Sequence, residues 1–341
     1  MSSSNVTVDG LEGVRPDREA LTGANHMRGK GGRRRRKRKD GSLVPEAEFS
    51  SYYGRPIVKE ATWAPLDIAG YFFLGGMAGT SSTLAAGAQM TGRPLLARRL
   101  KVGATGAISL SLLALVHDLG RPSRFLNMLR VFKPTSPMSV GVWILSAYAP
   151  AAVAAALGEY VPRLRPLARA GTAGAALLGP AVASYTGVLL ANTATPAWHD
   201  GHREMPFVFV GSAASAAAGL GLLSAPVSEN APARRLAVIG ALAEMSAVKV
   251  MERRLGIVAE NYHQGKAGSL MRAAEALTVA GVVGATVTAK RSRFGAALSG
   301  ACLLAASACA RFGIFEAGLQ SVRDPRYTVV PQRERMRAQG S

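Results

Sequence analysis

The sequence predicts an all-α protein, a polytopic membrane helix bundle of about eight transmembrane helices, and three observations predict it. Of the 341 residues, 48% are hydrophobic and the mean hydropathy is positive at +0.15, although the formal net charge is +20. The Lys and Arg residues fall in short clusters between long apolar stretches. Those stretches recur at close to the ~20 residues that a helix needs to cross hydrocarbon, where only internally closed backbone hydrogen bonding survives. Hydrophobic and basic together speak against a soluble enzyme of this size. A nucleic-acid partner is not expected either, because the basic residues form no single stripe with interleaved aromatics.

Residues 1–60 separate from the rest by composition. They are polar and Gly-rich, and carry the run from Arg33 to Lys39 followed by Ser51-Tyr52-Tyr53-Gly54-Arg55-Pro56. Such a tail is expected not to fold alone. Its basic run suits a solvated segment or a contact with lipid headgroups. With no apolar core in this stretch, no cleavable signal peptide is expected, and the first hydrophobic span then serves as the insertion signal.

From Trp63 onward apolar segments alternate with short links. The expected spans are Leu66 to Met90, Lys101 to His117, Met138 to Leu157, Ala170 to Ala191, Phe207 to Ser224, Leu236 to Met251, Ala273 to Ala289 and Gly295 to Ala310. The sixth and seventh are short, and Glu244, Lys249 and Glu275 lie in or beside them, so seven spans is the other count. Three regions result: a tail over 1–60, a membrane domain over 61–315, and a C-terminal tail over 316–341. Small residues, as in Gly75-Gly76-Met77-Ala78-Gly79, predict close helix packing.

Charge in the links bears on orientation. The links on the side away from the N-terminus hold Arg93, Arg98, Arg99, Lys101, Arg163, Arg165 and Arg169 among others. Their excess of Lys and Arg favours that side as cytoplasmic and an N-terminus outside. The expected location is the inner (cytoplasmic) membrane, multi-pass.

Redox chemistry is constrained by what the chain contains. Cys302 and Cys309 are its two cysteines, read as core thiols. They cannot supply the four thiolates of an iron-sulfur cluster, so any cluster belongs to a partner. A membrane cytochrome needs paired histidines within its helices, yet of the five histidines only His117 touches a span, so no haem is expected. His199 and His202 on a link read as a solvated connection and not as a metal site.

The longest link carries more charge and punctuation than a connector needs: His117-Asp118-Leu119-Gly120-Arg121-Pro122, continuing to Lys133-Pro134-Thr135-Ser136-Pro137-Met138. Together with Tyr71-Phe72-Phe73-Leu74-Gly75-Gly76-Met77-Ala78-Gly79, Tyr185-Thr186-Gly187-Val188-Leu189-Leu190 and Pro196-Ala197-Trp198 through Pro206-Phe207, this set resembles the NrfD family, also called the polysulfide reductase membrane-subunit family. The resemblance covers about Tyr52 to the C-terminus. It implies a haem-free, quinone-reactive anchor that uses menaquinone or another quinone. It also implies docking on a ferredoxin-like subunit with 4Fe-4S clusters, which leads to a molybdopterin catalytic subunit. The Ser51-Tyr52-Tyr53-Gly54 segment resembles what accompanies formate dehydrogenases.

Site residues follow from residues and resemblance together. A quinone site needs hydrogen-bond donors, a proton-exchanging group and an apolar slot. Asp67 and Tyr71, four residues apart, share a helical face. By resemblance, Asp67 and Tyr71 fall at or near the family's quinone contacts and Tyr185 faces the quinone head; the expected quinone-binding set is Asp67, Tyr71, His117, Arg121, Tyr185 and Trp198. His117, Asp118 and Arg121 cluster where the second span ends, with Asp67, His117 and Asp118 as proton carriers and Arg121 holding Asp118 charged. The alternative is plain helix capping and local ion pairing. Trp198 closes the site or anchors at the interface. Glu244 is a proton carrier or a structural partner of Arg311, since an ionisable group inside a span defaults to such roles. Arg311 and Glu316 before Gly318 resemble the family's C-terminal arginine.

Two other functional classes remain. A secondary transporter would show an inverted repeat and broken helices at mid-membrane, and no convincing repeat is visible. A purely structural anchor would tolerate substitution at Asp67, His117 and Tyr185.

Overall fold

A computed structural model describes residues 5–7, 10–12, 57–120 and 123–339. Arg121, the Arg33 to Lys39 run and the Ser51 to Pro56 motif lie outside the described residues. The chain divides into two units, 61–321 and a second made of 1–60 with 322–341.

The first unit is a bundle of long helices: α1 (Pro65–Met90), α2 (Pro94–Asp118), α3 (Pro137–Leu157), α4 (Arg165–Ala191), α5 (Met205–Ser224), α6 (Ala231–Leu255), α7 (Gly265–Val287) and α8 (Arg293–Arg323). Each contains or overlaps one expected span. By length and composition six of them, α2, α3, α4, α5, α7 and α8, are apolar enough to cross a membrane. The other two fall short for different reasons. Gly, Ser and Thr dilute the hydropathy of α1, while α6 carries Arg234, Arg235, Glu244 and Lys249.

Helix ends differ from the apolar stretches because hydropathy marks hydrocarbon depth and not hydrogen bonding. Proline opens α1, α2 and α3 at the first turn, where its missing N–H costs nothing. Seven residues before the expected second span are thus already helical. Lys101 is buried there, its Nζ 2.6 Å from both Gln89 Oε1 and Glu159 Oε1. At the far end, α8 runs on to Arg323, past the expected boundary at 315; Phe315 and Leu319 are buried there, and its last two residues, Val322 and Arg323, fall in the second unit.

Within this unit α1 is central, packing on α2, α4 and α5, while α3 packs on α4 and α6 on α5 and α7. Small residues set the spacing. A Cβ at either Gly79 of α1 or Gly179 of α4 would run into the other's backbone, so the two helices cross with main chains in contact.

The second unit holds α9 (Arg326–Gln339) and a short antiparallel pair of strands, Asn5–Thr7 and Gly10–Glu12. Within it Arg323 pairs with Glu60 at 2.8 Å.

Candidate functional site

The first turns of α1 and α3 and the last turns of α2 and α4 enclose a cavity of about 350 Å³. Ile68, Tyr71 and Phe72 come from α1, Leu115 and Asp118 from α2, Met138, Val142 and Leu145 from α3, and Tyr185 and Leu189 from α4. Thr62 and Trp63, on the approach to α1, and Leu119 and Met128, on the long link, complete the wall. The lining is aromatic and aliphatic with few polar groups, the usual character of a small-molecule site.

Tyr185 supplies the distinctive polar atom. Its side chain is buried, its ring lies against Gly141 of α3, and its hydroxyl has no hydrogen-bond partner among the described residues. Leaving a hydroxyl buried and unpaired costs on the order of 1–3 kcal/mol, so a fold keeps one at a cost in stability. Tyr71 is fixed by its backbone: Ser111 Oγ donates to its carbonyl at 3.1 Å, and its ring sits 5.3 Å from that of Phe72.

Asp118 faces the cavity and also secures its rim. Its Oδ1 accepts the Ala64 N–H at 3.0 Å, which ties the start of α1 to the end of α2. His117 partners Asp67, with Nδ1 and Oδ2 2.8 Å apart across the same two helices. That pair does not line the cavity, although each member is adjacent in sequence to a lining residue. His117 is 80% exposed against 18% for Asp67, so the pair joins solvent to the protein edge beside the cavity.

Trp198 does not line the cavity. It is fully buried, its Nε1 donates to the Ile314 carbonyl at 2.8 Å, and its ring rests on Gly318, where any Cβ would collide with the indole. Its exposed-side partner is Trp63, which does line the cavity and stacks on it at 6.0 Å between centroids.

The structure separates Glu244 from this group. It lies in α6, within a second cavity between α6 and α7. Arg311, fully buried in α8, donates from Nη2 to the Phe209 carbonyl at 2.5 Å and sits 3.7 Å over the Phe209 ring. Glu316 pairs with Lys266 at 2.6 Å. Cys302 and Cys309 are unpaired and partly buried.

Several lining residues escaped the sequence reading. Phe72, Met138 and Leu189 sit inside quoted motifs, so the motifs carried the signal although the individual residues did not. Trp63, two residues before Pro65, had only its position at the head of the first helix to mark it.

Residues 59–305 match the family model described as polysulphide reductase, NrfD, which is well over half of the chain. No curated protein gives a match.

Proposed function

The chain belongs to the polysulphide reductase NrfD family, and we propose that it is the quinone-reactive membrane subunit of a redox complex. On this reading it binds menaquinone or a related quinone in the cavity bounded by Tyr71, Asp118 and Tyr185. It exchanges electrons with a ferredoxin-like 4Fe-4S partner subunit that leads to a molybdopterin catalytic subunit, as in a formate dehydrogenase. The complex resides in the inner membrane.

One observation carries the reading: Tyr185, whose buried hydroxyl has no hydrogen-bond partner among the described residues, lines a cavity that the Asp118 carboxylate also lines. The residues fit a flat aromatic head with oxygen acceptors at its edge. Ile68, Leu115, Val142, Leu145 and Leu189 supply an apolar slot, and Tyr185 supplies a donor.

A bound quinone contributes two-electron, two-proton chemistry. The chain's own residues then do the following. Tyr185 donates its hydroxyl hydrogen bond into the cavity and orients what it holds. Asp118 takes or gives a proton at the carboxyl oxygen not committed to Ala64 N–H. Asp67 and His117 carry protons between that rim and water, His117 being solvent-exposed and hydrogen-bonded to Asp67. Trp63, backed by Trp198, closes the end of the cavity against water.

Trp63 makes the reading testable, since quinones quench indole emission on contact. Titrating the purified protein with a soluble menaquinone analogue should quench part of its tryptophan fluorescence saturably, and Val142→Phe, which fills the slot, should abolish the saturable part. Saturable quenching that survives Val142→Phe unchanged would move the site elsewhere. Intact quenching in a complex that turns over without quinol would leave the chain as an anchor.

A further inference from the structure

The second cavity, about 210 Å³, lies between α6 and α7 with Ala310 of α8 at its back. Glu244 stands at its inner end. From there the wall follows α6 through Val248 and Lys249 to Glu252, just over two helical turns or about 12 Å. Along α7 it runs from Thr278 to Met271, and Tyr262 and His263 complete the outer end. At that end His263 Nε2 lies 3.2 Å from Glu252 Oε1, and the imidazole is 61% exposed.

Glu244 is 7% exposed, and its Oε2 has no hydrogen-bond partner among the described residues. A structural ion pair would show the carboxylate clasped by the guanidinium. Arg311 instead donates to the Phe209 carbonyl, and its Nε and Nη1 are also without partners among the described residues. The charge of Arg311 and the Ser212 hydroxyl bear on the Glu244 carboxyl from within the bundle. From the cavity side it is faced by Lys249 and Glu252 on its own helix, His263 on the connecting turn, and Arg272 and Glu275 on α7. A buried acid with an oxygen unpartnered among the described residues, at the end of a cavity lined by several ionisable side chains and wide enough for several waters, is placed to exchange protons with them.

We propose that this cavity is a hydrated proton inlet, separate from the first cavity, that runs from the His263 and Glu252 rim to Glu244. On uptake an O–H bond forms on the Glu244 carboxyl as one breaks on the adjoining water, and the rim replaces that proton from solvent; release reverses these steps, with no change of oxidation state. The inlet does not depend on what fills the first cavity, but the two are linked by contact. Arg311 stacks on Phe209, whose ring meets Phe72 edge-on at 5.8 Å, and Phe72 lines the first cavity. A chain of contacts thus runs from Arg311, whose charge bears on Glu244, through two rings to that wall.

Infrared pH-difference spectra of the purified protein in lipid nanodiscs test this. A protonated-carboxyl stretch is expected that disappears in Glu244→Gln and shifts promptly when the wild type is moved into D₂O. Thr278→Leu, which narrows the cavity without altering charge, and Glu252→Gln at the rim should each slow that shift several-fold. These two keep Glu244 and carry the test should Glu244→Gln fail to fold. A band that persists in Glu244→Gln, one that never exchanges in the wild type, or one that exchanges equally fast in both rim and cavity variants overturns the inlet. Quinone quenching of Trp63, measured on the same samples, reports on the first cavity alone and so keeps the two proposals apart.

Discussion

The indoles of Trp63 and Trp198 are stacked, 6.0 Å apart and inclined by 18°, so that a residue lining the cavity rests on one sealed within the bundle. What fixes Trp198 therefore fixes the cavity wall. Its seat is Gly318, whose missing side chain is the space the indole occupies, with the Ile314 carbonyl accepting its N–H. Gly318→Ala should push the indole off that seat and lower the thermal midpoint by the equivalent of ~1–3 kcal/mol, the usual cost of overpacking. Saturable quinone quenching should weaken with it. An unchanged melting curve would show that the indole has room the geometry denies it.

Tyr185 leads to an expectation with opposite signs for stability and function. Its buried hydroxyl has no partner among the described residues, so Tyr185→Phe should leave the melting temperature unchanged or raise it. Binding of a quinone analogue should weaken about 2- to 12-fold, the factor corresponding to a net hydrogen bond of ~0.5–1.5 kcal/mol. Loss of stability with binding intact would mean that the hydroxyl serves packing, and Tyr185 would leave the site.

Most of the bundle was legible in the sequence because hydrocarbon imposes a length and a composition that can be read one residue at a time. The eight apolar stretches lie within or across eight long helices. Helix ends were less legible. Pro94 starts α2 among arginines, and Lys101 is buried by a pairing with Glu159, 58 residues away, which no local pattern reveals. The candidate site was legible as motifs: Tyr71, Asp118 and Tyr185 line one cavity, each from a quoted segment. Pairings across helices were not. His117 and Asp67 are 50 residues apart, and only the crossing of α1 and α2 makes them partners. Trp198 and Gly318 were both singled out, but their contact depends on α8 continuing beyond its apolar stretch.

Acid should loosen the start of α5 in a defined way. Arg254 holds Glu204 through two hydrogen bonds, Nε to Oε1 at 2.8 Å and Nη2 to Oε2 at 2.5 Å, and also donates to the Asp200 carbonyl. The hydrogen bonds from Arg254 keep the Glu204 carboxyl below the ordinary carboxylate range, against the opposing effect of burial. A group whose folded value is depressed stabilises the fold above its unfolded value, ~4.3, and loses that contribution as pH falls through the folded value. The midpoint gap between wild type and Glu204→Gln should be full at neutral pH and close under acid. A gap that widened on acidification would contradict the pairing.

Asp118 combines two roles that substitution can separate. As an acceptor for the Ala64 N–H it joins α1 to α2, and as a carboxylate on the cavity wall it is placed to exchange a proton. Asn keeps an oxygen at Oδ1 but cannot take up a proton, whereas Ala removes both functions. Asp118→Asn should therefore melt close to wild type, and Asp118→Ala should lose ~0.5–1.5 kcal/mol, as expected for one hydrogen bond. In the purified complex both should slow quinol oxidation to a similar extent, because both remove the same proton step. His117→Ala, which breaks the exposed pair with Asp67, should slow it less. If Asp118→Asn oxidised quinol at the wild-type rate while Asp118→Ala did not, the carboxylate would be a strut between two helices and the protons would travel by another route.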